Sequence, residues 1–168
     1  MTNLYSFCSF CGGTLVTEKQ HFKCSKCSKL TFRNPAPCTA IFLIKANKVL
    51  LTIRAIEPFK GMLDALGGFV EPNESFEDAA IRESTEEIGF APTNLEYLCS
   101  FPDTYLYQDV YYDVLNVSFA SYMDKDIEFE PNDDVESVKW FKYDEIDFNL
   151  VAFDSVKKAL KFVKQKLK

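Results

Sequence analysis

Three glutamates, Glu83, Glu86 and Glu87, stand at i, i+3 and i+4, so on a helix they project from one face. Arg82 precedes them and is placed to pair with Glu86 one turn on. Like charges crowded in this way destabilise a helix unless something neutralises them. A hard divalent cation with oxygen ligands does so, and Mg2+ held by carboxylates together with substrate phosphates is a common arrangement. Without a cation the same residues would form a solvated acidic helix face. The stretch around them, GFVEPNESFEDAAIRESTEEIGF from Gly68 to Phe90, carries its own helix signals. Ser75 followed by Asp78 predicts an N-cap with an acidic partner, and Gly89 sits where a helix stops. Phe76, Ala80, Ile81, Ser84 and Ile88 form a neighbouring stripe that can be buried.

A second set of chemical residues lies near the N-terminus. Cys8-x2-Cys11 is followed after twelve residues by Cys24-x2-Cys27, a spacing that closes a tetrahedral thiolate site around Zn2+ with no open position for chemistry. Two disulfides or four unrelated thiols are the alternatives, and a reducing compartment disfavours the first. His21, the only histidine, is superfluous to a four-cysteine site and is expected on the surface. Cys38 and Cys99 lie in apolar surroundings and are expected to pack as small hydrophobes.

Elements must position both sets. Residues 1–34 are expected to form a zinc ribbon with a hairpin over Thr14–Lys23, and residues 35–168 a second domain, with Asn34-Pro35-Ala36-Pro37 as the linker. Thr39–Lys45 and Val49–Arg54 predict a hairpin turning at Ala46-Asn47-Lys48. Leu95–Phe101 predicts a strand ending at Pro102, and Tyr105–Tyr107 with Tyr111–Met123 a long hairpin around Gln108-Asp109. Asp124–Val135 is acidic and irregular, hence a loop. Ser137–Lys142 predicts one more strand, and Phe153–Lys168 an amphipathic helix along Phe153, Val156, Leu160, Val163 and Leu167. Strands and helices so intermixed imply an α/β chain with a mixed sheet between helices.

Composition limits the function. The 168 residues suffice for one sizeable core, and a formal net charge of −6 argues against general affinity for nucleic acid or anionic membrane. An acidic protein acting on phosphates needs metal ions as intermediaries. There is no apolar run of membrane-spanning length and no signal-peptide pattern, so a cytoplasmic location is expected. The ribbon's lysines, Arg33, Phe22 and Phe32 leave open a non-catalytic module that binds nucleic acid or protein; a structural role in folding, or support of a homodimer, is the simpler account.

Gly68, Glu74, Arg82-Glu83, Glu86-Glu87, Gly89 and Phe90 resemble the Nudix box, G-x5-E-x7-R-E-U-x-E-E-x-G-U, with every fixed letter present. Ser84 stands where the family has a bulky apolar residue, and Leu66 where a proline commonly precedes the two glycines. The resemblance implies an α/β/α sandwich and a Mg2+- or Mn2+-dependent hydrolase of the pyrophosphate bond in a nucleoside diphosphate linked to another moiety. It implies metal binding by Glu83, Glu86 and Glu87 with help from the Gly68 carbonyl, and positioning of the helix by Arg82 and Glu74. The family's general base varies between a box glutamate, here Glu83, and an acid of a late loop, where Asp133, Asp134 and Glu136 are the candidates. A zinc ribbon ahead of the box is similar to the NADH diphosphatase branch. Of that branch's SQPWPFP-type signature only Ser100-Phe101-Pro102 is present, which leaves NADH, NAD+, ADP-ribose and dinucleoside polyphosphates all open. A vestigial box would have lost a glutamate, and this one has lost none.

Overall fold

The structure, a computed structural model, describes residues 5–19, 21–125 and 127–167. A small antiparallel sheet comes first, formed by β1 (Leu15–Thr17), β2 (His21–Cys24) and β3 (Leu30–Phe32) in that order. The first two are the expected hairpin. The third, Leu-Thr-Phe set among basic residues, is too short and too exposed to announce itself by alternation.

The larger sheet has six strands: β4 (Ala36–Lys45), β5 (Lys48–Arg54), β6 (Leu63–Asp64), β7 (Glu96–Tyr107), β8 (Val110–Tyr122) and β9 (Val135–Lys142). Their order is β6-β5-β4-β8-β7, with β9 paired to β5. Strands β4 and β8 run parallel, from Ala36 opposite Val114 to Ile44 opposite Tyr122, and the other strand pairings are antiparallel. Side chains of β4 alternate between two cores. Ile41 and Leu43 pack with Leu50, Leu66, Ala80 and Ile88, under helix α1 (Phe76–Ile88). Ala40, Phe42 and Ile44 pack with Leu51, Val156, Ala159 and Leu160, under helix α2 (Asp154–Val163). Burial on both faces explains why β4 reads as an unbroken apolar run, and the chain is the expected α/β/α sandwich.

Three boundaries differ from expectation. Ala36 and Pro37 belong to β4, not to a linker: Pro37 sits opposite Leu115, and its carbonyl accepts from the Val70 N–H at 3.1 Å. Pro102 does not end β7. That strand lies at the edge of the sheet, where a missing N–H is tolerated, and pairing continues through Asp103 and Tyr105 to Tyr107. The last helix is shorter than its apolar periodicity, and Leu167 follows a turn. Among the described residues no helix is long and apolar enough to cross a membrane.

Candidate active site and metal centre

Helix α1 is capped at both ends as its sequence dictates. The Ser75 hydroxyl accepts from the Asp78 N–H at 3.1 Å, and Gly89, with φ 70°, closes the helix through its N–H to the Thr85 carbonyl. Ser84 is fully buried, and its hydroxyl donates to the Phe90 carbonyl at 2.7 Å. The serine in place of an apolar residue therefore replaces packing with a bond to the chain leaving the helix.

The three box glutamates grade across the edge of the buried face. Glu87 is buried, Glu83 is half-buried and Glu86 keeps 49% of its side chain exposed. Glu87 Oε2 accepts the Gly67 N–H at 2.9 Å. Burial pushes the Glu87 carboxyl well above the usual range, opposed by that N–H and reinforced by the negative charges of Glu83, Asp64 and Asp134. Burial likewise raises Glu83, against the pull of Arg82 and with repulsion from Glu86 and Asp133.

Arg82 organises this end of the molecule. Its Nε and Nη2 donate to the two oxygens of Glu74 at 2.8 and 3.1 Å, and its Nη1 donates to Glu83 Oε1 and Glu86 Oε2, each at 2.9 Å. Nη2 also donates to the Phe69 carbonyl at 3.0 Å, which ties the box loop to the helix. The fork of Arg82, followed by the Glu71 N–H, holds the Glu74 carboxyl below its ordinary range. The Gly68 carbonyl already accepts the Thr39 N–H at 2.9 Å, leaving one lone pair for any other partner. Gly68 itself has no room for a side chain: an added Cβ would meet the Glu83 carboxylate, 2.6 Å from its Cδ.

The late acids separate. Asn132 donates its N–H to the Glu87 carbonyl at 2.8 Å and Glu130 to the Ile88 carbonyl at 3.3 Å, so the acidic loop satisfies carbonyls that the end of α1 leaves open. Asp134 is half-buried and lines an open cleft. Its carboxyl is raised by burial and by Asp133, against Arg54. Asp133 is exposed, though near enough to act on Glu83. Glu136 is exposed on β9 and does not line the cleft.

The cleft opens between the Gly67–Phe69 loop, strands β4, β7 and β8, and the start of α2. Sequence reading missed a buried pair in its wall, Arg54 Nη1 to Asp64 Oδ2 at 2.8 Å. Burial pushes Asp64 up to about 6 despite the charge and hydrogen bond of Arg54. Its signal was a lone acid in an apolar run, Met62-Leu63-Asp64-Ala65-Leu66. Of the aromatics that could stack on a ring, Tyr105 lines the cleft, whereas Phe101 packs against Phe162 on α2. Cys99 is buried as expected, but Cys38 is half-buried in the cleft wall, where desolvation raises its thiol to about 12.

The sulfurs of Cys8, Cys11, Cys24 and Cys27 all lie within 4.8 Å of one another, with Cys11 to Cys24 at 3.5 Å and Cys8 to Cys27 at 3.7 Å. Tetrahedral Zn2+ with sulfurs about 2.3 Å away requires edges of about 3.8 Å, so the donor set fits such an ion. The N–H groups of Cys27 and Lys26 each point at Cys24 Sγ from 3.4 Å, and the Cys27 N–H, against burial, holds that thiol down at about 6. His21 stands apart, bonded to Glu18 at 2.7 Å. Among the described residues, this is the one group of three or more such ligands that converges so closely. The box glutamates do not, because Arg82 draws Glu83 and Glu86 to itself. Their hard oxygens and mutual repulsion nevertheless suit a divalent cation.

Residues 34–164 match the family model of the NUDIX domain. The chain belongs to the NUDIX family. A NUDIX hydrolase from Nitrosomonas europaea is similar in structure, with a TM-score of 0.72 and 28% identity over 96% of this chain and 91% of that one. The NUDIX domain of Shewanella oneidensis NrtR, solved with ADP ribose, shares the fold at 22% identity and a TM-score of 0.67 over 82% of this chain and 91% of that one. The NAD-capped RNA hydrolase NudC of Salmonella heidelberg is 28% identical over 144 residues, which are 84% of this chain and 53% of that protein. The chain thus spans about half the length of the curated relatives it matches.

Proposed function

We propose that the protein hydrolyses the pyrophosphate bond of a nucleoside diphosphate linked to a second moiety, with NAD(H) and ADP-ribose as the first candidates. The observation that carries this reading is that one loop, Gly67–Phe69, both walls the cleft and abuts the box acids. Gly67 donates to Glu87, Gly68 packs on the Glu83 carboxylate and Phe69 accepts from Arg82. A diphosphate seated in the cleft therefore lies against the glutamates.

Glu83, Glu86 and Glu87 would hold Mg2+ or Mn2+, with the spare lone pair of the Gly68 carbonyl available to it. Such an ion neutralises phosphate charge and lowers the pKa of a bound water. Arg82 and Glu74 set the helix and its carboxylates against the box loop. Asp134 is the acid best placed to take a proton, because it faces the cleft with its carboxyl already raised; Glu136 is withdrawn from that role. The four cysteines would hold Zn2+ in a structural site. The substrate is a small nucleotide, the location cytoplasmic, and a homodimer through the ribbon remains the expected assembly. An intact box in a chain of this family weighs against the non-catalytic binding module.

The test is a substrate panel with Mg2+ and Mn2+, covering NADH, NAD+, ADP-ribose, diadenosine polyphosphates, nucleoside triphosphates and NAD-capped RNA, with products separated by chromatography. Release of a mononucleotide such as AMP from a linked nucleoside diphosphate supports the proposal. Inactivity across the panel with a folded, metal-loaded protein would refute it.

A further inference from the structure

The α2 side of the cleft holds a polar group that neither the core nor the box acids use. Asn116 on β8 lies beside Cys38 on the parallel neighbour β4, and Asp103 on β7 is a diagonal neighbour of Asn116 on the same sheet face. All three line the cleft. The Ser118 hydroxyl donates to Asn116 Oδ1 at 3.0 Å, which fixes the amide; one N–H of its NH2 faces the Cys38 sulfur and the other is left as a donor. Asp103 accepts the Ser155 N–H at 2.7 Å on one oxygen and the Thr104 N–H at 2.8 Å on the other. Each oxygen keeps a lone pair, and the carboxylate is anchored to the first turn of α2. A fixed donor thus stands beside a fixed acceptor. Above them, Phe69 sits edge to face with Tyr105 at 5.5 Å, with 43% of its surface exposed at the mouth.

We propose that Asn116 and Asp103 form a specificity subsite for a planar ring bearing an NH2 donor next to an acceptor, stacked against the Phe69–Tyr105 pair. The acceptor of the ring meets the Asn116 NH2, and its amine meets the Asp103 carboxylate. Adenine presents this pattern through its exocyclic amine and adjacent ring nitrogen, and nicotinamide presents it through its carboxamide. A carbonyl or carboxylate in place of the amine faces Asp103 with a second acceptor, and rejection of that kind exceeds what apolar contacts achieve. The inference rests on the proposed function for placing a nucleotide in the cleft, but it is tested without hydrolysis.

Titration calorimetry of the full chain with mononucleotides, which contain no pyrophosphate bond, reads the subsite directly. AMP is compared with IMP, which replaces the amine by a carbonyl, and nicotinamide mononucleotide with nicotinic acid mononucleotide, which replaces the amide by a carboxylate. Preference of about tenfold or more for AMP in the first pair assigns the site to adenine, and in the second pair to nicotinamide. Asp103→Asn, which keeps the shape and an acceptor for the Ser155 N–H but removes the rejecting carboxylate, should bring the preferred pair to within about twofold. Phe69→Ala should weaken both members of each pair equally. Equal affinities within both pairs, no binding by any of the four, or an unchanged ratio in a folded Asp103→Asn protein would overturn the proposal. Discrimination without hydrolysis of the panel would keep the subsite and discard the proposed reaction; hydrolysis without discrimination would do the reverse.

Discussion

Adjacent glycines in the box loop should fail in opposite ways. An alanine at Gly68 places its Cβ against the Glu83 carboxylate, 2.6 Å from Cδ where ordinary contact begins near 3.4 Å, so the carboxylate must retreat by about 0.8 Å. It is the far end of a flexible side chain and can do so. Gly68 is not among the positive-φ glycines, and the lower unfolded-state entropy of alanine offsets the strain, so stability should stay within about 1 kcal/mol of the parent. Catalysis should not survive so well. Misplacing a reacting group by about 1 Å costs on the order of 100-fold, or about 2.7 kcal/mol of transition-state stabilisation. Gly67→Ala is the converse. Its Cβ would meet the Thr39 carbonyl oxygen and lie 2.9 Å from Ala40 Cα, both backbone, at φ 138°. Neither neighbour can move, and the cost should reach on the order of 4 kcal/mol, a large share of the about 5–15 kcal/mol that holds a domain folded. The assay is kcat/KM for AMP release from the best substrate of the panel with Mg2+, beside thermal melts of the metal-free proteins. A Gly68→Ala enzyme with parental kcat/KM would refute the requirement for Glu83 at its observed position. A Gly67→Ala protein melting with the parent would refute the packing of the loop on β4.

Glu87→Gln keeps an acceptor for the Gly67 N–H but removes a buried charge from among Glu83, Asp64 and Asp134; metal-free melts should rise while kcat falls by orders of magnitude, and unchanged kcat would sink its metal role. With metal kept on the four cysteines, so that the depressed Cys24 thiol does not titrate, the Mg2+-free protein should gain stability as pH is lowered from 8 towards 5. Asp64, Glu83 and Glu87 have folded pKa values above their unfolded ones, so the folded state takes up protons as pH drops through about 6 for Asp64. Below about 4.5 the trend should reverse as Glu74, depressed by Arg82, protonates; denaturant melts across pH would show a flat profile if the acids were unperturbed. Saturating Mg2+ should stabilise more at pH 8 than at pH 6, because it binds the ionised acids. Chelation of metal from the four cysteines should abolish amide protection in β1–β3 while protection in β4 and β8 persists, a contrast that hydrogen exchange would detect.

Where one local rule decided the structure, the sequence was readable. Capping marked both ends of α1, paired cysteine knuckles marked the ribbon, unbroken apolar runs marked β4 and β5, and alternation marked β8. The errors lie where tertiary context overrode a local signal. Pro102 reads as a stop but sits on an edge strand with no neighbour awaiting its N–H, and Ala36-Pro37 reads as a linker but finds β8 alongside. The site follows the same division. Glu83, Glu86 and Glu87 were visible as one helix face, but their unequal burial depends on the Gly67 loop. Asp134 could not be told from Asp133 or Glu136 until the loop was folded onto the end of α1. Arg54, Asp64, Asp103 and Asn116 come from four different strand positions, and no spacing connects them.

The parallel pairing of β4 with β8 also sets the order of assembly. Thr39 bonds to the Val117 carbonyl across 78 positions of chain, and β4 cannot gain its long neighbour until the far strand exists. Loops of that span close slowly. The ribbon, by contrast, is complete by Phe32 and would need only the metal ion proposed for its cysteines. On a ribosome it would be finished while β4 and β5, the most apolar segments of the chain, still waited as an uncovered hairpin. That interval is when these strands are most exposed to aggregation, and the lysine-rich ribbon that precedes them would then act as a solubilising neighbour.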